Sequence, residues 1–145
     1  MTGRRIAPRT RTAWYLAAIL ALLVLSLPAC ARPAEASARL GEEFTLAIGQ
    51  VSGIAGEDLR VKFIEVVTDS RCPEGAVCIW AGQASSLVEL THAKTPNRLV
   101  LTQPDGTGSF LDYEIAFDLQ PYPQVGRNIE DKDYRLKLKI TRKSP

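Results

Sequence analysis

The stretch Tyr134-Arg135-Leu136-Lys137-Leu138-Lys139-Ile140-Thr141, close to the carboxyl end, decides the fold class. Every second residue is apolar, and the residues between carry three cations and a hydroxyl. This is the period-two pattern of a strand with one face on a core and the other in water. Working back toward the amino end, the same alternation recurs. Tyr113, Ile115, Phe117 and Leu119 alternate with Glu114, Ala116 and Asp118, and Tyr122 with its flanking prolines ends that strand. Before it, the turn Pro104-Asp105-Gly106-Thr107-Gly108 follows a short strand through Leu99 and Leu101. Residues 83–92 place Ala84, Ser86, Val88 and Leu90 on one face, and Phe44, Leu46 and Ile48 mark an earlier strand. Leu59, Val61 and Phe63 alternate with Arg60 and Lys62. The phase then slips, because Ile64 and Val66 are apolar while Glu65 is charged, which predicts a β-bulge near Phe63. Nothing after residue 30 sustains a 3.6-residue apolar period. Six or seven short strands therefore predict an all-β chain, a small antiparallel two-layer sandwich with immunoglobulin-like architecture, with a small β-barrel as the alternative.

The first thirty residues read differently. A cationic stretch to Arg11 precedes an apolar run over residues 13–24 that continues to Leu27, and small residues close it. That order is a secretory signal peptide over residues 1–29, and its apolar run is short for a spanning helix. The run ends in Leu27-Pro28-Ala29-Cys30, which resembles the lipobox of bacterial lipoproteins. The resemblance implies a diacylglycerol on the Cys30 thiol, an acylated mature amino terminus, and a membrane anchor outside the cytoplasm. Ala31 rather than Asp after the cysteine implies the outer membrane, facing the periplasm, where a cell has one. Two alternatives stay open: an ordinary signal peptide cut near Ala29 or Ala31, and an uncleaved anchor. Residues 30–39, a run of Ala, Pro, Ser and charge, are expected to form a lipidated tether, with residues 40–145 as one domain.

Charge narrows the partners. The formal charge of +2 is misleading, because Arg4, Arg5, Arg9 and Arg11 lie in the leader and fourteen Lys and Arg face sixteen Asp and Glu after it. No basic stripe extends beyond the last strand, so nucleic acid is not an expected partner. Export would put Cys72 and Cys78 in an oxidising compartment, where so close a pair normally forms a disulfide. With Cys30 taken by lipid, the three cysteines are then all assigned. A redox site wants two residues between its cysteines, and a zinc site wants three or four ligands where His92 is the lone histidine. No metal and no cofactor is expected. Trp80, two residues past Cys78, either packs over the disulfide and the core or stands out as an anchor for a partner, with Arg71 beside it. Arg71 and Trp80 therefore form the candidate binding loop.

The run Asp69-Ser70-Arg71-Cys72-Pro73, followed by Cys78-Ile79-Trp80-Ala81-Gly82, resembles a motif in a group of uncharacterised secreted and lipid-anchored bacterial proteins. The resemblance implies a disulfide-stapled β-domain and carries over no catalytic residue. His92, on a strand face with Val88 and Leu90, reads as a packed or capped residue. The acidic pairs Glu42-Glu43, Glu57-Asp58 and Glu130-Asp131 are neighbours in sequence, which on a strand sends them to opposite faces. No catalytic constellation is expected. The reading is a cell-envelope lipoprotein acting as a non-catalytic binding module toward an envelope protein or the cell wall. Its alternatives are a structural scaffold in envelope assembly and, further off, a hydrolase.

Overall fold

A computed structural model describes residues 36–144. The leader, Cys30 and residues 31–35 lie outside that range. In chain order the strands are β1 (Ala36–Ala38), β2 (Glu43–Ala47), β3 (Val51–Ile54), β4 (Leu59–Asp69), β5 (Ala84–His92), β6 (Thr95–Gln103), β7 (Thr107–Phe110), β8 (Tyr113–Gln120) and β9 (Arg135–Arg142). A single 3₁₀ turn, Asp131–Asp133, interrupts the strand sequence among the described residues. One sheet has the order β1-β3-β4-β5-β6 and the other β2-β9-β8-β7. The two do not close on one another, so the architecture is the two-layer sandwich and not the barrel. Both sheets are largely meanders, β3 to β6 in one and β7 to β9 in the other, with β2 crossing over to pair with β9.

The alternation read from the sequence sets which side chains meet between the layers. Leu59, Val61 and Phe63 of β4 and Ala84, Val88 and Leu90 of β5 face Ile115 and Leu119 of β8 and Leu136, Leu138 and Ile140 of β9, all buried. The cations of β9 point outward, and Lys137 pairs with Glu43 of the neighbouring β2 at 2.7 Å. The bulge expected near Phe63 is present: pairing of β4 with β5 slips between Phe63 and Glu65, and again between Val66 and Thr68.

Two expectations need correction. The tether through residue 39 is too long, because Ala36–Ala38 is an edge strand parallel to β3, and Ala38 sits in the core. The strand count was also too low, since β1, β3 and β7 carry little or no apolar alternation.

Candidate functional site

The disulfide loop leaves one end of the sandwich, rising from Asp69 at the top of β4 and returning to Ala84 at the start of β5. Its stem prolongs the sheet. The Ser70 and Cys72 amides donate to the carbonyls of Gln83 and Ala81, both at 2.8 Å, and the Ser70 hydroxyl lies 3.0 Å from the same Gln83 carbonyl. Gly82 makes this closeness possible. It holds φ at +70°, and a Cβ there would overlap the Ser70 carbonyl oxygen, so no other residue fits. Cys72 and Cys78 are bonded to each other, as expected. Closing so small a ring contributes about 2 kcal/mol by restricting the unfolded chain.

The stem is fixed to the opposite sheet by a buried brace. The Arg71 guanidinium donates from Nε and Nη2 to the two oxygens of Asp69, at 2.8 and 2.7 Å. It also donates from Nη1 to the Leu119 carbonyl at 2.6 Å and from Nη2 to the Pro121 carbonyl at 3.0 Å. Tyr134 completes the group, its hydroxyl donating to Asp69 at 3.2 Å. The Tyr122 ring covers the guanidinium, with its centroid 4.9 Å away. Burial opposes ionisation of Asp69, but the hydrogen bonds and charge of Arg71 outweigh it and hold the carboxyl below its usual range. Burial, followed by the Asp69 charge, pushes the Tyr134 hydroxyl up.

This placement overturns half of the candidate binding loop. Arg71 is only 7% exposed and its donors are committed to the protein itself, so it is no surface partner of Trp80. Trp80 is the reverse. It is 68% exposed and does not pack into the core, while Val77 and Ile79 on either side of Cys78 are fully exposed. Sequence reasoning overlooked Val77 and Ile79. The signal was available: from Gly75 to Gln83 there is no ionisable side chain, an unusual run for a loop. The first half of the loop is tied down, since the Glu74 amide donates to the Pro123 carbonyl and the Val125 amide to the Glu74 carbonyl. The second half carries the apolar tip. Tyr122 and Val125, also exposed, lie in the adjoining segment at the same end.

Beside this loop is a shallow cleft of about 510 Å³, lined by Glu74, Tyr122, Gln124, Arg127 and Asp133 among others. Its polar groups form no nucleophile and base pair. Among the described residues no three His, Cys, Asp or Glu side chains gather to hold a metal ion.

At the other end a second brace joins the sheets. Glu57 accepts from the Tyr113 hydroxyl at 2.7 Å and from Arg142 Nη2 at 2.7 Å. The Tyr113 hydrogen bond and then that of Arg142 lower the Glu57 carboxyl. His92 is half-buried at this end, at the foot of β5, paired across the sheet with Leu59 and Thr95 and remote from the disulfide loop. No protein-family model, curated protein or solved structure matches the chain.

Proposed function

We propose that this chain is an exported lipoprotein of the bacterial cell envelope, anchored through Cys30, whose β-sandwich is a non-catalytic contact module. The observation that carries the reading is the tip Val77, Ile79 and Trp80, three large apolar side chains held out from a braced stem. Single exposed apolar residues are ordinary on a protein surface. A contiguous group at one loop tip marks a contact surface. The rigid base favours contact further, because binding through a pre-ordered loop avoids the entropy of ordering it on engagement.

Two measurements on the full chain test the reading. Intact mass should show acylated Cys30, and inhibition of the lipoprotein signal peptidase should accumulate a heavier precursor; Cys30→Ser processed and released like the parent refutes the anchor. A photo-crosslinking residue placed at position 77 or 79 should capture lipid or an envelope component in cells, and one placed at Arg98, on the far hairpin, should not. Equal capture at the two sites refutes the tip as the contact surface.

A further inference from the structure

The direction of β1 and the length of chain before it bear on what covers the tip. β1 runs parallel to β3, so Ala36 stands level with Ser52, Ser52 with Val61, and Val61 with Leu90. From Leu90 the sheet continues six residues along β5 to Ala84, the row from which the disulfide loop departs. That height is about 20 Å at the usual rise per residue. The amino end of β1 therefore points toward the disulfide loop and away from the Ala93-Lys94 hairpin. Cys30 precedes Ala36 by six residues, and a chain of that length spans at most about 20 Å. The base of the disulfide loop is thus the furthest level toward the loop that a lipid on Cys30 can reach, and the tip projects beyond that level by the Ser70–Gln83 and Cys72–Ala81 rows.

We infer that the tip of the disulfide loop, Val77, Ile79 and Trp80, inserts into the outer part of the same bilayer that holds the acyl chains of Cys30, giving the domain a second attachment and a fixed orientation. The inference rests on the lipid anchor proposed above. Its chemistry suits a bilayer interface in three respects. The tip stands out into solvent, with Val77 and Ile79 fully exposed and Trp80 largely so, which fits a fluid medium that closes around it. It has no ionisable group between Gly75 and Gln83 that would have to be dehydrated. Its one aromatic is Trp80, whose apolar ring and N–H donor suit the headgroup boundary. The anchor also holds the tip at the surface at high effective concentration, so three side chains suffice where they would not hold a soluble protein.

The test uses the full chain, expressed in bacteria, purified from membranes and reconstituted into phosphatidylcholine vesicles and into phosphatidylethanolamine–phosphatidylglycerol vesicles. The mature acylated chain has lost Trp14 with its leader, which leaves Trp80 as the one tryptophan. The expected result is blue-shifted Trp80 emission quenched by lipids brominated near the carbonyl end of the acyl chain, equally in both vesicle types and unaffected by salt. Ile79→Asp and Val77→Asp, both at fully exposed positions, should abolish the quenching while intact mass still shows acylated Cys30. Acylated protein whose Trp80 emits as in water and escapes quenching overturns the insertion alone, as does a tip that crosslinks to a protein in cells and not to lipid. Quenching confined to the anionic vesicles and removed by salt also overturns it. Protein lacking the acyl chains overturns the anchor and the insertion together.

Discussion

Arg71→Ala should destabilise the domain far more than any change at the loop tip. The substitution removes two hydrogen bonds to Asp69 and those to the Leu119 and Pro121 carbonyls. It strands a carboxylate whose side chain is 7% exposed. Breaking a buried ion pair from one side costs about 3–5 kcal/mol. With a urea slope near 2 kcal/mol/M, that is a shift of about 2 M in midpoint. Trp80→Ala, at an exposed site, should stay within about 1 kcal/mol of the parent. The pH dependence carries the sign of the argument. In the parent, the Asp69 carboxyl titrates below its unfolded value. Its contribution is therefore complete above about pH 4 and is lost as the pH falls through the depressed folded value. Without Arg71, burial dominates and lifts the carboxyl above its unfolded value. The stranded charge then weakens the fold as the pH rises through the ordinary carboxylate range. Urea melts of residues 31–145, parent and variant, followed by far-ultraviolet dichroism at pH 7 and pH 4, should show the gap shrinking at the lower pH. A gap below about 1 kcal/mol at pH 7, or one that widens on acidification, refutes the account of Asp69 as a buried carboxylate neutralised by Arg71.

Gly82→Ala should cost at least about 2 kcal/mol, from the positive φ together with overlap on Ser70, and should slow re-formation of the Cys72–Cys78 bond after reduction. Replacing Ala93-Lys94 with Asn-Gly should raise stability by about 0.5–1 kcal/mol in the same melts, because both residues hold positive φ in a two-residue hairpin loop. A fragment of residues 40–145 should be less stable than residues 31–145 by about 1–3 kcal/mol, since it loses the pairing of β1 and the buried Ala38. It should also self-associate in sedimentation experiments through the uncovered edge of β3.

What could be read from the sequence follows how each residue earns its place. β8 and β9 were legible because each has one wet and one dry face, and the alternation records that directly. The bulge at Ile64 was legible for the same reason, as a break in phase. The second slip, at Val67, was not, because Val66, Val67 and Thr68 suit either face and leave no phase to break. The first half of β6 is solvated and holds Pro96, tolerated there because β6 is an edge strand. Its hairpin turns through Ala93 and Lys94, which give none of the Gly or Asn signal on which such a turn is usually recognised. β1 is an alanine-serine-alanine run whose place comes wholly from its partner β3. At the candidate site, the disulfide followed from spacing and compartment. The burial of Arg71 did not, because its acceptors lie at Leu119 and Pro121, about fifty residues away. The spacing Asp69-x-Arg71 was the one local hint, since residues two apart on an extended strand share a face.

The loop motif separates into two kinds of residue once each is asked what its removal would expose. Asp69 and Arg71 pair within the stem, and Arg71 reaches across to the Leu119 and Pro121 carbonyls beside the other sheet. Ser70 caps the Gln83 backbone, Cys72 and Cys78 close the ring, and Gly82 leaves room for the opposing strand. Each of these would leave a polar group unmet, a ring open or an overlap behind. Truncating Trp80 leaves none of these, and neither does truncating Val77 or Ile79. The opposite end shows that holding the sheets together does not require such a loop, because Glu57, Tyr113 and Arg142 brace it with an ordinary turn. A stem braced and closed in this way, ending in apolar side chains that the fold does not bury, fits the proposed device for holding those side chains outward. That separation is what supports the proposed contact at the tip. The brace and the closed ring beneath it fix the stem from which Val77, Ile79 and Trp80 stand out into water, an exposure that the hydrophobic effect opposes.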